Sequence, residues 1–360
     1  MLRIKQKVKN NINSFIKLLP ILAFIIPFLI LYFYQNIAFP PYPKYYYSYT
    51  DTFEVTWKGR TFYLFFLWLA LLEIILRWEK LQTHRVKKLK SLRTILFVLA
   101  LTLPTIYVIT ANFYGLNRAI VDWTWRNNVA QCDWMPLAIE YLVFAALFTA
   151  IIVLEYGFEG LKNILISPVF LTIIGTLYTI DNIYPYGWFT PFQILVPTTA
   201  NLAASILRIM GYKTSMTIIM NPKYGTMPYL TVTNSQGEVA AFGIAWPCSG
   251  IESLIIYTLT ILLFLRNINI PWKHKAIYFI IGAIITYLIN AIRIATIFII
   301  ALNTGVNSIQ THRFHDYYGQ LYSIIWIMIY PILIIGSRVL WAKIKTPREN
   351  SDSQNLGAMH

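Results

Sequence analysis

The sequence predicts an all-α polytopic membrane protein, with about eight transmembrane helices, one outer interfacial helix and a short outer β-hairpin. Three observations predict it. Of the 360 residues, 57% are hydrophobic and only 12% charged, whereas soluble chains carry roughly 25% charged residues. Apolar runs long enough to cross roughly 30 Å of hydrocarbon recur along the chain. The basic residues behind the net charge of +15 gather at alternate ends of those runs. Soluble, disordered and nucleic-acid-binding classes are excluded together, because the last two need abundant exposed charge. Aromatic residues reach 16%, with 11 Trp and 25 Tyr, as expected of helix ends at the headgroup level.

In order, the runs fall at about 18–36, 61–78, 93–111, 136–156, 163–182, 250–266, 275–301 and 320–342, with a ninth at 190–210. The first reads as a signal anchor: its apolar core is too long for a cleavable signal, and no small-residue site precedes Pro40-Pro41-Tyr42-Pro43. Arg3, Lys5, Lys7, Lys9 and Lys17 place the N-terminus in the cytoplasm. Arg77, Lys80, Arg85, Lys87, Lys88, Lys90 and Arg93 mark a second cytoplasmic loop, Arg266, Lys273 and Lys275 a later turn, and Arg338, Lys343, Lys345 and Arg348 a cytoplasmic tail. The loops 37–60 and 112–135 face outward.

Nine crossings would leave the basic tail outside, so one run must not span. The run 190–210 is broken by Pro197 and carries Gln193, Thr198, Thr199, Asn201 and Ser205 on one face. It reads as an interfacial amphipathic helix; a helix inside the bundle with its polar face buried is the alternative. Residues 182–249 then lie outside, and the segments Tyr229–Thr233 and Glu238–Ile244, flanking the turn Asn234-Ser-Gln-Gly237, predict the hairpin. The expected organisation is an N-terminal helix pair over 1–92, a catalytic membrane domain over 93–345 with an outer loop at 183–249, and a disordered cytoplasmic tail over 346–360.

Candidate chemistry collects at the outer edge. Cys248 lies in Trp246-Pro-Cys-Ser-Gly-Ile-Glu-Ser-Leu254, where the outer loop enters a helix. Ser249 and Glu252 have the spacing of a capping box, which puts the thiol beside unpaired N–H groups that favour a thiolate. Arg293 lies in Asn290-Ala-Ile-Arg-Ile294, inside an apolar run, and an intramembrane guanidinium is a functional candidate by default. It could instead form a structural ion pair with Glu252, and Asn290, one turn away on the same face, is placed to hold the guanidinium. The outer loop Thr311-His-Arg-Phe-His-Asp-Tyr-Tyr-Gly-Gln320 offers His312 and His315, between which position does not choose. A thiol, a guanidinium and an imidazole on the same edge of three successive helices are the parts of a cysteine acyl transferase. Two cysteines make no disulfide framework, though Cys132 and Cys248 could pair outside the cell, and no spacing suggests a metal or other cofactor. A transporter with Arg293 and Glu252 lining a path and a lipid-dependent acyl or glycosyl transferase are the competing classes.

These motifs resemble the exosortase/archaeosortase family of membrane-embedded cysteine transpeptidases, on its archaeal side. The resemblance rests on Cys248-Ser249-Gly250-Ile251 followed by Ser253-Leu254, on Asn290-Ala-Ile-Arg293, and on His315-Asp316-x-x-Gly319 in the family's order. It also takes in Pro191-Phe-Gln-Ile-Leu and Ala203-Ala-Ser-Ile-Leu-Arg-Ile-Met-Gly211, and covers about residues 93–342. It implies an active-site trio of Cys248, Arg293 and His315, favouring His315 over His312, with Ser249, Gly250, Glu252, Asn290 and Asp316 around it. The implied substrates are exported proteins with a C-terminal membrane helix and a basic tip. They would be cleaved at the outer face of the plasma membrane through a thioester and passed to an amine such as a lipid headgroup. Trp246-Pro247 departs from the small or acidic residues expected before the cysteine.

Overall fold

The computed structural model describes residues 2–33, 61–81, 92–129, 135–184, 193–221 and 225–357. Cys132, the lysines within 82–91, Pro191 and the Pro40–Pro43 run lie outside the described residues. Helix α1 is Leu2–Phe33, α2 Thr61–Leu76, α3 Leu92–Phe113, α4 Leu116–Arg126, α5 Met135–Asn163, α6 Ile166–Ile183 and α7 Val196–Ile209. Strands β1 (Lys213–Asn221), β2 (Gly225–Thr233) and β3 (Val239–Gly243) follow, then a 3-10 turn at Trp246–Ser249. Helices α8 (Ile251–Asn267), α9 (Trp272–Thr304), α10 (Ile309–Arg313), a π-helical turn Phe314–Tyr318 and α11 (Gly319–Gly357) complete the chain.

Each expected apolar run forms a helix, because a chain in hydrocarbon must satisfy every backbone polar group internally. Among the described residues, five are long and apolar enough to cross a bilayer: Leu92–Phe113, Met135–Asn163, Ile166–Ile183, Trp272–Thr304 and Gly319–Trp341. Phe15–Leu31 and Phe62–Leu76 are shorter apolar stretches, and α8 has 17 residues. The structure thus supports five spans by length and hydropathy where about eight were expected. Helix α7 has 14 residues, a rise of about 21 Å, too short to cross. It buries Val196, Thr199, Ala200, Ala203, Ala204 and Leu207 against α9 and the strands, and leaves Thr198 and Asn201 exposed.

The bundle is tied laterally by polar groups as well as packing, since lipid offers helices no hydrophobic reason to associate. Phe24 of α1 meets Phe66 of α2 and Phe144 of α5 edge to face, at 5.4 Å in each case. Glu73 of α2 accepts the N–H groups of Ile166 (2.9 Å) and Ser167 (2.7 Å), and the Ser167 hydroxyl. A carboxylate borrowed from a neighbouring helix therefore caps α6, whose own N-cap, Leu165, has no capping side chain. On the other side, Tyr257 of α8 and Tyr330 of α11 donate to the carbonyls of Phe279 and Tyr278 on α9, each at 2.7 Å. Gly282 of α9 sits against both rings, where a β-carbon would lie 2.2 Å from the Tyr257 hydroxyl. The three helices that carry the candidate site are thereby locked together.

One expectation is extended. The predicted hairpin is the β2–β3 part of a three-stranded antiparallel sheet ordered β1-β2-β3. Strand β1 was not read from the sequence; its Met216, Ile218 and Met220 share one face and are exposed. The segment after α3 holds the short helix α4, opened by Gly115 at φ 81°. Helix α11 runs on to Gly357; extending a formed helix needs no new nucleus.

Candidate active site

Three separate elements bring the candidate side chains together. Trp246 is fully buried, beside Asp181 of α6, and anchors the 3-10 turn that presents Cys248. This gives the unexpected tryptophan a physical role: its buried ring anchors the start of the short turn. Ser249 donates its hydroxyl to the Trp246 carbonyl at 2.6 Å. The predicted capping box does not form. The N-cap of α8 is Gly250, in the left-handed conformation at φ 88°, without a side-chain cap. Ser249 is already committed within the turn, and Gly250 packs on Asn290, whose nearest atom would lie 3.0 Å from an added β-carbon. Both constraints favour glycine.

Asn290 does not hold the arginine. Its Nδ2 donates to the Cys248 carbonyl at 2.9 Å, fixing the backbone of the thiol residue from α9. From the other side, Thr199 Oγ1 of α7 donates to the Ser249 carbonyl at 2.9 Å and lies 2.8 Å from the Tyr287 hydroxyl. The turn is thus clamped between α7 and α9. Neither Thr199 nor Tyr287 was selected from the sequence, where each looks like an ordinary polar residue of an amphipathic or apolar run.

The imidazole arrives from the π-helical turn between α10 and α11. Ser308 caps α10 by accepting the Thr311 N–H at 3.1 Å, and the turn that follows carries His315. Isolated π-turns recur at functional sites because they re-aim one residue within a helical path. His315 Nε2 lies 3.7 Å from Cys248 Sγ, and Arg293 Nη2 donates to the His315 carbonyl at 3.0 Å. Asp316 falls in the same turn, but its side chain is outside the described residues. His312 is placed one helical turn earlier, on α10.

Gly319 is where Arg293 crosses α11. A β-carbon there would stand 2.8 Å from both Arg293 Nε and the Phe314 carbonyl oxygen. Gly319→Ala should therefore lower stability by about 1–3 kcal/mol through overpacking, read as a lower Tm of the purified protein in detergent, with Gly336→Ala unchanged because nothing lies within 4 Å of that position.

No ion pair joins Arg293 to Glu252 among the described residues. Both face a cavity of about 10 Å³, with Gln320, Ser323 and Phe62 of α2 in its wall. Arg293 is 8% exposed, and its Nε, Gln320 Oε1 and Ser323 Oγ are buried without hydrogen-bond partners there.

Cys248 is a half-buried, free thiol. Burial is the largest influence on it and pushes its pKa up. The hydrogen bond and charge of His315, with the Arg293 guanidinium, outweigh that effect and a smaller upward push from Asp181. The thiol is held below its ordinary value. A nucleophile with a lowered pKa, within reach of a proton-transfer group and beside a fixed cation, is equipped for attack on a carbonyl carbon.

No curated protein and no solved structure matches the chain. The family model described as transmembrane exosortase matches residues 57–331, a stretch that takes in Cys248, Arg293, His315 and α2 as well as the later helices. With its long apolar helices the chain is a multi-pass membrane protein, and it belongs to the transmembrane exosortase family.

Proposed function

We propose that the chain is a membrane cysteine transpeptidase that cleaves C-terminal sorting signals of exported proteins at the outer membrane face. The observation that carries this reading is the 3.7 Å approach of Cys248 Sγ to His315 Nε2, beside the Arg293 guanidinium. Family membership supports it.

The Cys248 thiolate attacks the scissile carbonyl, and the positive charge of Arg293 stabilises the oxyanion that forms. His315, holding the proton taken from the thiol, delivers it to the departing amine. The peptide C–N bond breaks and a thioester on Cys248 remains. An incoming amine then attacks the thioester, gives its proton to His315, and leaves the thiol free. A lipid headgroup is the amine available in the plane of the bilayer. A substrate tethered by its own membrane helix meets the thiol already confined to two dimensions, which removes much of the entropic barrier.

The outward orientation is supported by charge. Lys17 of α1 donates to the Trp78 carbonyl after α2, Arg93 of α3 to the Leu154 carbonyl of α5, and Arg77 lies near Arg266. Arg266 closes the end of α8 opposite Cys248. Basic helix ends belong on the cytoplasmic side.

The test is to trap the thioester. Mass spectrometry of the Cys248 peptide from native membranes should find it acylated by the new C-terminus of an exported protein, and neutral hydroxylamine should release the adduct. A membrane-impermeant maleimide should label Cys248 in intact cells carrying Cys132→Ser. Absence of any acyl adduct, with exported proteins processed normally, rejects the reading.

A further inference from the structure

The sheet beside the site has an unused edge that leads to the nucleophile. Ile244 donates its N–H to the Pro228 carbonyl at 2.8 Å, and Asn234 donates to the Glu238 carbonyl at 3.1 Å. Both pairs extend the β2–β3 register, in which Leu230 faces Phe242 and Val232 faces Ala240. Hydrogen-bonded pairs alternate along an antiparallel ladder. Ala240 and Phe242 therefore spend their backbone groups on β2, whereas Val239, Ala241 and Gly243 point theirs away from it. β1 lies on the far side of β2, and no hydrogen bond to these outward groups occurs among the described residues.

An edge of this kind is usually blunted by a lysine, a proline or a bulge. β3, Val-Ala-Ala-Phe-Gly, has none of these. Ala241 at its centre carries only a methyl group, Gly243 at its end is exposed, and Val239 is 56% exposed. The strand then runs straight into the turn bearing Cys248.

We infer that β3 is the docking strand for the substrate: the extended peptide preceding the scissile bond adds as a fourth strand along Val239–Gly243. This rests on the transpeptidase reading above. The direction follows from the membrane. The substrate residues after the scissile bond descend into the bilayer, so those before it lie alongside the sheet and run toward Cys248, parallel to β3. Backbone pairing supplies affinity, and alternate side chains of the added strand supply selectivity. The opposite edge, β1, with Ile218 76% exposed, leads away from the thiol and is the internal control.

Ala241→Pro removes one outward N–H and leaves the β2–β3 ladder intact. Expected is a loss of processing of about tenfold or more, the worth of a hydrogen bond and its neighbours, measured on the exported proteins that accumulate unprocessed in a Cys248→Ala strain. Iodoacetamide alkylation of Cys248 should be unchanged, and Ile218→Pro, on the β1 edge, should process normally. Processing at the wild-type rate in Ala241→Pro overturns the inference. If Ala241→Pro fails to accumulate, photocrosslinking from Val239→p-benzoylphenylalanine in the full-length Cys248→Ala protein decides. Crosslinks to the unprocessed precursor supports it; crosslinks only to lipid, or to precursor only from Ile218→p-benzoylphenylalanine, overturns it. Normal processing in the Cys248→Ala strain itself would reject the transpeptidase reading, a result distinct from either.

Discussion

Cys248→Ala should reduce processing of exported substrates by roughly 10⁴-fold or more, as removal of a covalent nucleophile does in enzymes that act through one. The neighbouring hydroxyl offers no rescue. Ser249 is fully buried and donates to the Trp246 carbonyl at 2.6 Å, so its oxygen faces into the turn. Cys248→Ser should be nearly as inactive, because an alcohol beside His315 lacks the lowered pKa on which the thiol's reactivity depends. Both variants should insert and accumulate normally. The side chain is small and half-buried, and the turn is held by backbone bonds from Asn290 and Thr199 that neither substitution touches. Immunoblots of membranes for the variant protein, paired with the mass of the exported substrates, separate loss of chemistry from loss of protein. Substrate processing that survives in the alanine variant would assign cleavage to another residue or another protein.

The helices were legible because a bilayer leaves hydrophobic length and charge asymmetry written along the chain, and each apolar run became a helix within a few residues. Position along those helices was legible too: Cys248, Arg293 and His315 were assigned to one edge, and they meet there. What remained hidden was decided by contacts between elements. Ser249 and Glu252 satisfy the capping-box pattern, yet the preference of Gly250 for the surface of Asn290 moved the helix start by one residue. Asn290 looked like a partner for Arg293 from spacing alone, whereas it reaches across to the Cys248 carbonyl. The π-helical turn carries no local signature in Phe314-His-Asp-Tyr-Tyr318, and the reason for Gly319 appears only once Arg293 is laid over it. Residues 1–92 held no recognisable motif, yet Glu73 caps α6 and Phe62 walls the cavity behind Arg293, packing roles with no sequence pattern of their own.

His315→Ala should lower processing by about 10²–10⁴-fold, the usual range for a proton-transfer group, and its pH signature separates that role from simple packing. The thiol is held below its ordinary value because the hydrogen bond and charge of His315, aided by Arg293, overcome the upward push of burial. Deleting the imidazole removes the stronger of the two lowering influences and leaves burial in place. The thiolate fraction at a given pH must then fall, and the pH at which iodoacetamide alkylation of Cys248 is half-maximal must rise. His315→Gln, which can offer a hydrogen bond without a charge, should fall between wild type and alanine in alkylation but match alanine in processing, because glutamine cannot carry a proton to the leaving amine. Arg293→Lys, keeping a charge but losing the bond to the His315 carbonyl, should shift the alkylation profile less than His315→Ala does. An alkylation profile in His315→Ala that overlays the wild type would mean that the imidazole does not tune the thiol, and the pairing of Cys248 with His315 would then account for position alone.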